Sequence, residues 1–235
     1  MSPPRRPVRA VVFDLDGTLV DSGGDIAAAA NHALRLHGLP ELPIRDIAGF
    51  VGDGARRLME RASRLPPESA RLDALLASFL EYYTDHPAEH TRPVDGADAC
   101  LAALRHRLPL AICTNKPRAA TAALLRALEW SDRFDAVVAG GDTPEYKPAP
   151  APLQLVAARL QVSPADLVMV GDGPQDIESG RAVGCLTVGI PGPLIPVARL
   201  LDAAPDHVIR VLADLLPLLQ PPSLPSASER VVSPR

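Results

Sequence analysis

Aromatic side chains are scarce: Phe, Trp and Tyr make up 3% of the 235 residues, so the interior has to be built from Ala, Leu and Val. Cysteine is scarce too. Cys100, Cys113 and Cys185 stand far apart with no Cys-x-x-Cys spacing, and they read as small buried apolar residues in a reducing compartment. No apolar run approaches the length of a membrane span. The basic start Met1-Ser2-Pro3-Pro4-Arg5-Arg6-Pro7 leads into an apolar run over 8–13 that is too short for a signal-peptide core and ends on a carboxylate. The expected location is therefore the cytoplasm. There is also no excess of positive charge. The formal net charge of -4 argues against a nucleic-acid or acidic-membrane partner. It leaves room for an anionic small substrate, because one local cation can invert the field of a pocket.

What is present is an α/β pattern. Short apolar runs of strand length occupy 8–13, 110–113, 136–139, 167–170, 186–190 and 207–211. Segments of helical period lie between most of them; Ala97, Cys100, Leu101 and Leu104, for example, fall on one helical face. Strands alternating with helices predict a Rossmann-like three-layer core with a parallel sheet. One connection breaks the rhythm. Between residues 22 and 92 there is no good strand, and 26–36, 54–64 and 67–83 read as helices. About seventy residues is too long for an ordinary crossover. The expectation is a helical cap over 23–92 inserted after the first strand, hinged at Gly23-Gly24 and at 91–96, on a core made of 1–22 and 93–220. The Pro/Ser-rich stretch 221–235 is expected to be a disordered tail.

The most informative string is Val11-Val12-Phe13-Asp14-Leu15-Asp16-Gly17-Thr18-Leu19. An apolar strand stops at Asp14, a second carboxylate follows at Asp16, and Gly-Thr opens a turn. Strand carboxyl ends face the rim where α/β folds bind ligands. Paired carboxylates there are costly unless a cation or chemistry needs them. Two further strands end in polar groups: 110–113 at Thr114-Asn115-Lys116, and 167–170 at Gly171-Asp172, with Asp176 four residues on. Parallel strands bring these ends to one edge. Asp14, Asp172 and Asp176 supply hard oxygen ligands suited to Mg²⁺. The Thr114 hydroxyl and the backbone amide of Asn115 can hydrogen-bond phosphoryl oxygens, and Lys147 can neutralise one as a point charge.

In chain order, these residues resemble the four motifs of the haloacid dehalogenase superfamily. Asp14-Leu15-Asp16-Gly17-Thr18 is similar to motif I, Thr114 to motif II, Lys147 to motif III, and Gly171-Asp172-Gly173-Pro174-Gln175-Asp176 to motif IV. The resemblance implies a Mg²⁺-dependent aspartyl-phosphate mechanism. In it Asp14 attacks phosphorus, and Asp16 protonates the leaving oxygen and then deprotonates the hydrolytic water. Thr114 and Lys147 hold the phosphoryl group. The metal sits on Asp14, the backbone oxygen of Asp16, Asp172 and Asp176.

Within the superfamily the chain resembles the phosphoglycolate phosphatases. The matching segments include Val51-Gly52-Asp53-Gly54-Ala55, Thr114-Asn115-Lys116-Pro117 and Ala139-Gly140-Gly141-Asp142. Gly52 and Gly54 have two readings: bare backbone that approaches a small acid, or a turn that starts the helix at Ala55. Some positions depart from the family pattern. Gly173 stands where Ser is usual, Ala151 where an acid is common, and Pro191-Gly192-Pro193-Leu194 replaces a Gly- and Tyr-containing loop. The resemblance implies a small phosphorylated acid as substrate, with 2-phosphoglycolate first. The alternatives are another sugar phosphate, such as N-acetylmuramic acid 6-phosphate, or a phosphomutase of the β-phosphoglucomutase type. A monomer or homodimer is expected.

Overall fold

The structure is a computed structural model, and it describes residues 8–219. The expected disordered tail at 221–235 lies outside the described residues.

The chain begins with β1 (Ala10–Phe13) and β2 (Val20–Asp21). Four helices follow: α1 (Gly23–Leu36), α2 (Ile44–Ala48), α3 (Ala55–Ser63) and α4 (Ala70–Asp85). The chain returns through β3 (Arg92–Pro93) to α5 (Ala97–Arg105), β4 (Leu110–Pro117), α6 (Arg118–Ala127) and β5 (Ala136–Gly140). It closes with α7 (Ala151–Leu160), β6 (Leu167–Gly171), α8 (Pro174–Val183), β7 (Leu186–Gly189), α9 (Val197–Asp202), β8 (His207–Val208) and α10 (Leu215–Leu218).

Six strands form one sheet in the order β5-β4-β1-β6-β7-β8, and every pair in it is parallel. Ala10, Val11, Val12 and Phe13 are all fully buried. Helices cover both faces, so the strand is a continuous apolar run instead of an alternating one. One face packs Val11, Phe13, Ile112 and Val170 against Cys100, Leu101 and Leu104 of α5. The other packs Val12, Ala111, Cys113 and Met169 against Leu153 and Val156 of α7. The three cysteines are buried and unpaired by disulfides.

Strand order reverses direction at β1, with β4 on one side and β6 on the other. In open α/β sheets that reversal leaves a crevice at the strand carboxyl ends. The residues that follow β1, β4 and β6 are those the sequence singled out.

Helices α1 to α4 have an apolar cluster of their own. Ala27, Ala30, Ala33 and Leu34 of α1 meet Leu72, Leu75 and Phe79 of α4, with Ile47, Leu58 and Met59 filling in. Ala120, Leu194 and Ile195 join this cluster from the sheet side. The short helix α2 was not expected from sequence. Nor was the two-stranded antiparallel ribbon in which Val20 pairs with Pro93 and Asp21 with Arg92. This ribbon carries the chain out to the helices and back. Beside it, buried Asp25 in the first turn of α1 accepts hydrogen bonds from the backbone N–H groups of His90 (2.9 Å) and Thr91 (2.8 Å) and from the Thr91 hydroxyl (2.6 Å).

Candidate active site

Asp14 is the first residue after β1, and its backbone N–H donates to Val170 O at 2.9 Å. That bond continues the ladder with β6 and fixes where the Asp14 side chain leaves the sheet. Two residues on, Asp16 accepts a 2.6 Å hydrogen bond from Ser22 Oγ. On the neighbouring strand, β4 runs past Cys113 to Pro117, and its register against β5 shifts between those two residues. Such an irregularity re-aims side chains. Here Thr114, Asn115 and Lys116 are buried in succession, and all three line the same cavity as Asp14 and Asp16.

Lys147 comes from the loop between β5 and α7 and is buried. Its Nζ lies 2.9 Å from Asp14 Oδ1 and 2.5 Å from Asp176 Oδ1. Burial disfavours the ammonium ion, yet the two carboxylates outweigh it and raise the Lys147 pKa, so the side chain stays charged. Asp176 sits in the first turn of α8, and its second oxygen accepts from the N–H of Gly173 at 3.1 Å. Both of its oxygens are therefore engaged.

Asp14 and Asp172 are different. Asp172 Oδ2 is buried with no hydrogen-bond partner, the costly state for a polar atom, and Asp14 Oδ1 has only the ion pair with Lys147. Burial, with Asp176 and Asp16 adding and Lys147 opposing, pushes the Asp14 carboxyl up to about 7. Burial, then the charges of Asp14 and Asp176, raises Asp172 well above the carboxylate range. Its other oxygen accepts from Thr18 Oγ1 at 3.2 Å. Carboxylate oxygens of Asp14, Asp172 and Asp176 all lie within 4.8 Å of one another. Three hard oxygen donors, with the unpartnered Asp172 Oδ2 among them, fit a divalent cation.

The helical side closes the cavity. Gly52 and Gly54 line it, at φ +119° and +86°. Gly54 is also the residue before α3, so the pair turns the chain into that helix and forms part of the cavity wall. Asn115 ties the loop down. Its Nδ2 donates to Gly52 O at 2.8 Å and to Lys147 O at 2.9 Å, and its Oδ1 accepts from Lys147 N at 2.9 Å. The Asn115 side chain thus fastens three segments together. Gln175 links the same loop to α8 through Asp53.

Sequence reasoning missed three contributors. Lys116 reaches Asp16 Oδ1 at 3.1 Å and bonds the hydroxyl of Tyr83 from α4. Its Nζ also lies 3.9 Å from the centre of the Tyr83 ring. A lysine after Thr-Asn carried no signal that would have placed it beside Asp16. Gly192 packs against motif I: a Cβ there would stand 2.2 Å from Gly17 O and 2.7 Å from Asp172 Oδ2. The departure from the family pattern at 191–194 was visible in sequence, but its contact with Asp172 was not.

Comparison with known proteins agrees with this geometry. Residues 8–184 match the family model of haloacid dehalogenase-like hydrolases. The chain is 38% identical over 222 residues to a protein of Neisseria meningitidis serogroup A named phosphoglycolate phosphatase, covering 91% of this chain and 94% of that one. It is 39% identical over 218 residues to a plasmid-encoded phosphoglycolate phosphatase of Cupriavidus necator, covering 90% and 94%. A crystal structure of a predicted phosphoglycolate phosphatase from Haemophilus somnus superposes with a TM-score of 0.83 at 29% identity, covering 91% and 98%. The chain belongs to the haloacid dehalogenase-like hydrolases.

Proposed function

We propose that this hydrolase is a Mg²⁺-dependent phosphatase that converts 2-phosphoglycolate to glycolate and phosphate. The observation that carries the reading is the meeting of Asp14, Asp16, Thr114, Lys147 and Asp176 in one cavity, with Asp172 beside it. The substrate is chosen from the names of the relatives in Neisseria meningitidis and Cupriavidus necator.

Asp14 is the nucleophile. One carboxylate oxygen attacks phosphorus and an aspartyl phosphate forms as the ester oxygen leaves. Asp16 donates a proton to that oxygen. It then takes a proton from the water that attacks the aspartyl phosphate and releases inorganic phosphate. Phosphoryl transfer has a loose transition state, so most of the catalysis lies in positioning and charge neutralisation. Lys147, the Thr114 hydroxyl and the backbone amide of Asn115 hold the phosphoryl oxygens. Asp14, Asp172, Asp176 and the backbone oxygen of Asp16 would hold Mg²⁺, which neutralises charge between a carboxylate nucleophile and a phosphate dianion.

Residues 23–92 act as the cap in this reading, over a core made of 1–22 and 93–220. The apolar cluster built mainly from α1 to α4, with Ala120, Leu194 and Ile195 joining it from the core, supports that division. The cap excludes bulk water and supplies the contacts that select the ester. A phosphate-release screen with Mg²⁺ over 2-phosphoglycolate, sugar phosphates and nucleotides tests the proposal. The expected result is the highest kcat/KM on 2-phosphoglycolate. A sugar phosphate used ten times better would overturn the substrate assignment and leave the chemistry standing.

A further inference from the structure

Two cations line the cavity, Lys147 and Lys116. Lys147 lies between Asp14 and Asp176 and faces the phosphoryl position. Lys116 pairs instead with Asp16, with its Nζ 3.1 Å from Asp16 Oδ1. Its side chain is 2% exposed. The α4 residue Tyr83, itself buried, holds it in place, with its hydroxyl bonded to Nζ and its ring below. An ammonium group has three donors. Asp16 and the Tyr83 hydroxyl account for two, and Lys116 has no third hydrogen-bond partner among the described residues while it lines the cavity.

The position relative to Asp16 sets what that ligand group is. The proton carried by Asp16 goes to the ester oxygen, so the ester oxygen of a bound substrate lies against Asp16. The organic part of the substrate starts there and continues away from Lys147. In a two-carbon acid the carboxylate carbon is two bonds from the ester oxygen, which puts it beside Asp16 on the Lys116 side. A carboxylate bonded to a buried ammonium is a strong, charge-assisted contact. Asp53 and Arg61, the other charged pair near this end of the loop, are bonded to each other and half-exposed.

We propose that Lys116, held by Tyr83, is the specificity-determining residue that binds the substrate carboxylate, so that the enzyme selects phosphate esters of short 2-hydroxy acids over esters with no acid. This rests on the reading of Asp14 and Asp16 given above. It adds a residue of the core strand β4 to specificity that the cap would otherwise supply alone. It also makes closure of α4 a condition for selectivity, because Tyr83 comes from α4.

The test compares kcat/KM with Mg²⁺ for 2-phosphoglycolate and for 2-hydroxyethyl phosphate, which has the same chain length and a poor leaving group but no carboxylate. The proteins are the wild type, Lys116→Met and Tyr83→Phe. The wild type is expected to favour 2-phosphoglycolate at least tenfold. Lys116→Met is expected to lower kcat/KM for 2-phosphoglycolate about 30-fold more than for 2-hydroxyethyl phosphate, with most of the difference in KM, the loss of one charge-assisted hydrogen bond. Tyr83→Phe keeps the ring and removes the hydroxyl, and is expected to shift the same ratio several-fold if Lys116→Met does not fold. Equal losses on both esters, carried by kcat, would mean that Lys116 only positions Asp16 and would overturn the proposal. A wild type that treats the two esters alike would remove the acid substrate and this role together. A wild type that favours the acid, with variants that keep the preference, would remove Lys116 alone.

Discussion

Gln175 donates a 2.6 Å hydrogen bond to Asp53, joining the first turn of α8 to the loop between α2 and α3. Burial of Asp53 raises its pKa, but the bonds from Gln175 and Arg61 outweigh that and hold it below the usual range, so the carboxylate stays charged. The Arg61 partner is 41% exposed, and exposed pairs of this kind contribute little. Gln175→Ala should therefore loosen the loop that carries Gly52 and Gly54. The expected rise in KM for 2-phosphoglycolate is roughly tenfold, the worth of one hydrogen bond to a charged group. Arg61→Ala should change it less than about twofold. Equal effects would assign the closure to the ion pair.

The root of the helical insert depends on Asp25. Its carboxylate accepts from two backbone N–H groups and one hydroxyl of the returning chain at His90 and Thr91. Asp25→Ala leaves the Thr91 N–H and hydroxyl buried without a partner. Urea unfolding should show a loss of about 3 kcal/mol, and Thr91→Val about 1 kcal/mol. A loss under about 1 kcal/mol for Asp25→Ala would show that water replaces the carboxylate there.

Gly192 lies against the carboxylate that has an orphaned oxygen. Gly192→Ala would place a methyl group 2.2 Å from Gly17 O, so either this loop or the motif I turn has to move. The Mg²⁺ concentration for half-maximal activity should rise about tenfold or more, while far-ultraviolet circular dichroism stays native. An unchanged Mg²⁺ requirement would place the 191–194 loop outside the metal site.

Metal binding and pH should be linked through Asp14. Its carboxyl is raised from 3.8 to about 7 by burial, with smaller contributions from neighbouring acids. The unfolded chain releases this proton near 3.8, and the metal-free native protein keeps it until near 7. The native state thus binds more protons across that window, and its stability falls as pH rises through it. A divalent cation favours the ionised form and removes the penalty. Added Mg²⁺ should raise Tm more at pH 7.5 than at pH 5.5, and Ca²⁺ should restore activity poorly because it accepts looser geometry. Equal Tm shifts at the two pH values would contradict this.

The sheet was legible because buried parallel strands read as unbroken apolar runs. Of the runs at 8–13, 110–113 and 167–170, each ends within a few residues of its observed strand. The motif residues were legible because parallel strands bring their carboxyl ends together whatever lies between. Contacts between segments far apart in sequence were not legible. Nothing local in Thr114-Asn115-Lys116 shows that Asn115 fastens the Gly52 loop or that Lys116 reaches Asp16, because both depend on the shift in register after Cys113. Helix α2 was missed because Ile44–Ala48 is too short to show a helical period. The ribbon of Val20 and Asp21 with Arg92 and Pro93 is two residues per strand, below any strand signal.

The central claim is that Asp14 is the nucleophile. Asp14→Asn keeps the shape of the side chain, and Asp176 still compensates Lys147, so the variant should fold with a native Tm. Its amide oxygen is a poor nucleophile and a weaker metal ligand. The most direct measurement is Mg²⁺-dependent phosphate release from 2-phosphoglycolate by the wild type and by folded Asp14→Asn. The account predicts a loss in kcat on the order of 10³ or more. A folded variant within about tenfold of the wild type would contradict it.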